Sequence, residues 1–137
     1  MSRSAYVKLV EKSKQQAITL EEVEKLIEYY QEITTKTGDQ LSWEYGAAAF
    51  PYKVEYHEKD SQKFYLLKGI EADYQYIIVG LSNARGKDND EQIQIVLPEG
   101  STHGDKGKAN EFCKFLAKQL SGELHLFNGR IMYYYKR

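Results

Sequence analysis

An internal disulfide is excluded at the outset, because Cys113 is the sole cysteine of the chain. A lone thiol closes no internal bridge and fits a reducing compartment. With only 2 prolines, long proline-rich linkers are excluded as well. Long apolar runs are missing: the longest are about five residues, far short of the ~20 that a bilayer span needs. Met1 to Tyr6 carry no apolar run of signal-peptide length. The expectation is a cytoplasmic protein with no membrane partner. An excess of either charge is also lacking, since 19 Lys and Arg meet 20 Asp and Glu to leave a net charge of −1. That balance supplies no global field toward nucleic acid and argues against it as a partner, while leaving room for a local basic patch.

What is present is an ordinary core-forming composition, with 42% hydrophobic and 28% charged residues in 137. That length suits one hydrophobic core, so residues 1–137 are read as a single domain. The surplus residue is tyrosine, at 12 against 5 Phe and 1 Trp. Tyrosine joins an apolar body to a hydrogen-bonding tip and favours half-buried strand surface.

Along the chain, Ala5 to Val10 alternates weakly and suits a first strand. Thr19 and Glu22 have capping-box spacing, and Leu20, Val23, Leu26, Ile27, Tyr30 and Ile33 recur at helical intervals. The spacing predicts a helix over 20–36, with Gly38 as its stop. Leu41 to Phe50 is either a short helix or an apolar loop that ends before Pro51. Tyr52, Val54 and Tyr56 then alternate with Lys53, Glu55 and His57. Lys63 to Ile70 returns, Tyr74 to Ser82 is a strongly β run, and Asn83 to Glu91 is a polar loop. Gln92 to Leu97 alternates as a half-buried strand. A second helix is predicted from Lys106 to Leu120, with Phe112, Cys113, Leu116 and Leu120 on its core face and Gly122 as its stop.

Glu123 to Phe127 and Arg130 to Tyr135 read as strands joined by Asn128-Gly129, the strongest short hairpin signal. A two-residue turn pairs Leu126 with Ile131 and Leu124 with Tyr133. Those residues would then face the core. His125, Phe127, Arg130, Met132 and Tyr134 would form an outer apolar face, a candidate interaction surface.

The chemistry-bearing candidates are few. Pro98 to Ala109 runs strand–loop–helix and contains Gly107-Lys108, as a phosphate-binding loop does. Thr102 stands where that motif's first glycine belongs, and Ala109 replaces its magnesium-holding hydroxyl, so triphosphate hydrolysis is not supported. Helix capping by Thr102 or Asp105 explains most of the loop. A weaker reading survives, in which Ser101, Thr102, His103, Lys106 and Lys108 bind a small anion at the helix start. His57, His103 and His125 have no metal-ligand spacing, so no metal and no cofactor are expected. No catalytic set is visible: Cys113 lies on a core face, and no carboxylate pair can be assigned as acid and base. Asp88-Asn89-Asp90 lacks the glycine and distal glutamate of a calcium loop. Trp43, Tyr45, Phe50 and Tyr52 are the densest aromatic cluster, either a loop over the core or a pocket lining. The second helix carries Lys106, Lys108, Lys114 and Lys118, best read as a solvated face.

Two stretches point to a family. Ser4-Ala5-Tyr6-Val7-Lys8-Leu9-Val10 with its capped helix is one. Leu97-Pro98-Glu99-Gly100-Ser101-Thr102-His103-Gly104-Asp105-Lys106, continuing to Gly122-Glu123-Leu124-His125-Leu126-Phe127-Asn128-Gly129-Arg130, is the other. Together they resemble a small family of uncharacterised Bacillus-type proteins, a domain of unknown function. The resemblance implies a bacterial cytoplasmic α+β domain and carries over no activity and no site residues. The sequence therefore predicts an α+β domain: a largely antiparallel sheet of five to seven strands, two helices packed on one face, and a C-terminal hairpin. The functional expectation is a non-enzymatic binding domain for a protein partner or a second copy. The alternative is a small enzyme or anion-binding regulator using Ser101 to Lys108.

Overall fold

A computed structural model describes residues 3–15, 17–41, 52–59, 62–70, 74–82 and 92–135. The elements are β1 (Arg3–Lys8), α1 (Leu20–Leu41), β2 (Tyr52–Lys59), β3 (Gln62–Gly69), β4 (Tyr76–Ser82), β5 (Gln92–Leu97), α2 (His103–Leu120), β6 (Glu123–His125) and β7 (Ile131–Tyr133). The strands form one seven-stranded sheet in the order β2-β3-β4-β5-β1-β6-β7. Every neighbouring pair is antiparallel. The expected α+β architecture is what the chain adopts.

Period-2 alternation divides the sheet into two unlike faces. Ala5, Val7, Tyr65, Leu67, Ile77, Val79, Ile93, Ile95, Leu97 and Leu124 are all buried on one face. Registers such as Ala5 opposite Ile95, Val79 opposite Ile95 and Val7 opposite Leu124 stack them into continuous rows. Both helices cover this face. Val23, Ile27 and Tyr30 of α1 join Ala109, Phe112, Cys113, Leu116, Ala117 and Leu120 of α2 in the core. The helices meet through rings: Tyr30 lies 5.2 Å from Phe112 and 4.9 Å from Phe115 between centroids.

The start of α1 behaves as its sequence dictates, while α2 begins at His103 and not at the expected Lys106, because Thr102 is its cap. The Glu22 amide donates to Thr19 Oγ1 at 3.2 Å, and the Thr19 amide donates to Glu22 Oε1 at 3.1 Å. Thr102 and Asp105 make the same reciprocal pair at α2. Each cap contributes about 1 kcal/mol. At the far end of α2 the left-handed residue is Ser121, with φ 52. Gly122 has a different duty: a Cβ there would stand 3.0 Å from the Lys8 carbonyl oxygen, so its bareness lets the chain pass close beneath β1.

Two further expectations need correction. Helix α1 does not stop near residue 36 but runs over Gly38 to Leu41, because a glycine weakens a helix by only about 1 kcal/mol and does not break it. The hairpin register is also shifted by one residue. Asn128-Gly129 does not form a two-residue turn. The Leu126 amide donates to the Arg130 carbonyl at 2.8 Å, the Gly129 amide donates to the Leu126 carbonyl at 3.0 Å, and Gly129 takes φ 85. That is a three-residue loop whose last residue is left-handed, the next commonest hairpin connection. His125 therefore pairs with Ile131, Leu124 with Met132, and Glu123 with Tyr133. A slip of one residue reverses every side chain. Ile131 and Tyr133 turn outward at 42% and 43% exposure, while Met132 packs against the core.

Candidate functional site

Helix α2 starts at a junction that its cap only hints at. Asp105, the third helical residue, is fully buried. Its carboxylate accepts from the Tyr52 hydroxyl of β2 at 2.5 Å, from the Gln75 amide before β4 at 3.0 Å, and from the Thr102 amide at 3.0 Å. One side chain thus pins two strand ends and a helix start together. Burial, and then the carboxylate itself, push the Tyr52 hydroxyl far above its ordinary pKa, so it stays protonated and remains a donor. Tyr52 is the described member of the predicted aromatic cluster, and its ring packs edge-on against Tyr74 at 5.5 Å. Trp43, Tyr45 and Phe50 lie outside the described residues, as do the loop 83–91 with its Asp88-Asn89-Asp90.

Beside this junction a cleft of about 300 Å³ opens, lined by Arg3, Leu97, Pro98, Ser101, Thr102, His103 and Lys106. The predicted loop residues Ser101, Thr102, His103 and Lys106 converge there. Lys108 does not: it lines a separate small pocket with Tyr30, Tyr52 and Phe112, and its ammonium pairs with Glu111 at 3.1 Å. Arg3 takes its place, brought in by the pairing of β1 with Leu97 at the loop's start. No sequence spacing announced that, since the two residues lie at distant points in the chain. The amides of His103 and Gly104 have no acceptor within the helix, as at any helix start. Asp105 sets the limit on what they attract. Its carboxylate already supplies the negative charge that this helix end favours. Ser101 is committed in part, donating from Oγ to the Pro98 carbonyl at 2.6 Å.

Among the described residues no helix lies over the other face of the sheet. Its cross-strand rows follow from the registers. One runs Glu55, Leu66, Ile78, Val96 and Ser4; the next runs His57, Phe64, Gly80, Gln94, Tyr6, His125 and Ile131. The His57 ring stacks on Phe64 at 5.7 Å with an 11° tilt. Gln94 Nε2 donates to Ser4 Oγ at 3.1 Å and to the Tyr6 hydroxyl at 3.4 Å. Two histidines each hold a carboxylate of their own strand, His57 with Glu55 at 3.1 Å and His125 with Glu123 at 2.7 Å. Part of the tyrosine surplus lies here, with Tyr76 and Tyr133 exposed and Tyr6 half-buried.

The predicted interaction residues do not share one surface. His125 faces outward with Ile131 and Tyr133. Phe127, Met132 and Tyr134 pack against the core on the helix side, and Arg130 is exposed at the turn. Among the described residues no three His, Cys, Asp or Glu side chains group to hold a metal. Cys113 is buried, and burial pushes its thiol up to about 12, which leaves it an inert core residue. Among the described residues no helix is long and apolar enough to cross a membrane.

Comparison with known proteins indicates a family but neither an activity nor a binding partner. Residues 3–136 match the profile of a family described as a domain of unknown function, DUF1885. A crystal structure of a protein of unknown function from Bacillus stearothermophilus is similar at 46% identity, covering 90% of this chain and 94% of that one, with a TM-score of 0.59. No curated protein matches.

Proposed function

Because the chain belongs to the DUF1885 family of unknown function, we propose from its geometry that it is a non-enzymatic binding domain whose recognition surface is the uncovered face of the sheet. The carrying observation is the contrast between the two faces. One is sealed by both helices, while the other leaves Leu66, Ile78, Val96, Phe64 and Tyr6 half-buried beside exposed Tyr76, Ile131 and Tyr133. Apolar and aromatic side chains that share one solvent-facing surface favour association. The test compares the wild type with the double variant Ile131→Glu/Tyr133→Glu, both immobilised and incubated with a cell extract. The wild type should retain macromolecules that the variant does not, while the two chains unfold at similar denaturant concentrations. Equal retention by both removes the proposal.

A second reading rests on the convergence of Arg3 with His103 and Lys106 at one cleft. A small phosphate-bearing anion fits that charge, and the competing Asp105 carboxylate makes its affinity weak. Titration with inorganic phosphate should shift the His103 and Gly104 amide resonances at about millimolar concentration, and Arg3→Ala should abolish the shifts. Unmoved resonances in the wild type eliminate this reading.

A further inference from the structure

Gly80 is the residue that the fold does not account for. It sits in the middle of β4, a central strand, paired with Phe64 on one side and Gln94 on the other. The pairing runs through it without a bulge, and its backbone is not in the left-handed region. A Cβ would meet Phe64 Cβ at 3.5 Å and the Lys63 carbonyl oxygen at 3.8 Å, ordinary contact distances. Neither conformation nor crowding requires glycine. In a strand interior glycine is a weakening choice, and one of its recognised uses is to let a ligand come close to the backbone. Here it leaves a notch in the uncovered face, bounded in register by the Phe64 ring and the Gln94 amide.

The charges around that notch say what would enter it. Lys8, Lys53, Lys59 and Lys68 lie on the uncovered face, against the carboxylates of Glu55 and Glu123. Each of those carboxylates is held by a histidine, and Glu123 also accepts from the Tyr135 hydroxyl at 3.1 Å. Lys53 and Lys68 stand directly opposite each other across β2 and β3, and like charges so placed destabilise a sheet. Glu55 offsets part of that repulsion. The acidic side chains of α1, Glu21, Glu22, Glu24, Glu28 and Glu32, belong to the opposite layer. Among the described residues this face is therefore basic, and the aromatic residues Tyr6, His57, Phe64 and Tyr76 lie among its lysines.

Resting on the preceding reading of this face, we infer that its partner is single-stranded nucleic acid. A base stacks on Phe64 over the bare Gly80 backbone, and the lysines follow the phosphates. Flat aromatic platforms rimmed with cations suit unpaired bases, which present a π-face, and not a duplex, which is read by elements inserted into its grooves. The overall charge balance argues against nucleic acid but leaves room for a local basic patch, and this face supplies one.

The test is fluorescence anisotropy with labelled oligo(dT) and oligo(U) of roughly 16 nucleotides, the upper end of single-strand site sizes. Binding should appear below about 100 µM and weaken at least tenfold between about 50 and 200 mM salt. Gly80→Val fills the notch with a better strand former, so it should weaken binding about tenfold while the variant unfolds no more easily than the wild type. Lys53→Gln/Lys68→Gln should weaken binding and flatten the salt dependence. No anisotropy change with wild type overturns the inference, and so does equal binding by the Gly80→Val chain. If either happens while Ile131→Glu/Tyr133→Glu still loses macromolecules from extract, the binding face stands with a different partner. If that variant also retains everything, both readings fall.

Discussion

Asp105→Ala is expected to lower the unfolding free energy by about 3–5 kcal/mol, enough to bring a small domain close to its limit. The Tyr52 hydroxyl, the Gln75 amide and the Thr102 amide all lose their acceptor together. Tyr52 is itself buried, so its donor has no easy replacement in water. Tyr52→Phe removes one donor along with part of the demand on the carboxylate, and should cost only about 1–2 kcal/mol. The two substitutions should combine to less than their sum, because both break the same bond. Urea unfolding of the four chains measures the cycle. A loss below about 1 kcal/mol for Asp105→Ala would show that the carboxylate is not the pin described above.

Gly69→Ala should be nearly as damaging, at about 3 kcal/mol or more, through a different cause. Its added Cβ would lie 2.1 Å from the Tyr74 carbonyl oxygen and 2.4 Å from the Tyr74 carbonyl carbon. Both obstacles are backbone, so no side chain can swing aside. The chain at 74–75 must move, and the Gln75 amide that donates to Asp105 moves with it. Gly69→Ala and Asp105→Ala are therefore expected to be strongly non-additive. Gly107→Ala supplies the contrast: nothing lies within 4 Å of that Cβ, and it stands on the exposed side of α2. It should stabilise by about 0.5–1 kcal/mol, as alanine does in a helix interior. Equal effects at the two glycines would contradict the packing around Gly69.

Local signals of the sequence translated well. Thr19 with Glu22 caps α1 through the spacing that predicts it, and at α2 the two alternative caps, Thr102 and Asp105, act together as a reciprocal pair. Alternation in Gln92–Leu97 put Ile93, Ile95 and Leu97 in the core. What was hidden depended on residues far apart in the chain. The spacing of Asp105 shows a cap, but its burial requires Tyr52 and Gln75, which arrive from other strands. Arg3 reaches the cleft only because β1 pairs with β5. The hairpin shows how two local answers compete. Asn-Gly suits a two-residue turn, yet Leu124 is held opposite Val7, and the Tyr134 amide donates to the Gly122 carbonyl at 3.0 Å. Those ties favour the register that sends Met132 inward, and the three-residue loop provides it. Lys108 was placed with the anion loop by its nearness in sequence, while the helical turn carries it to the next face.

Strand β1 has a lasting consequence for how the molecule is made. Its neighbours are β5, beginning at Gln92, and β6, beginning at Glu123. During synthesis β1, residues 3–8, thus waits until residue 97 is made before the first flank is filled, and until residue 125 for the second. Until then Ala5 and Val7, the innermost side chains at its middle, stay uncovered. Assembly with such distant pairings is slow and vulnerable to clumping, so the nascent chain stands to gain from a holding chaperone during synthesis.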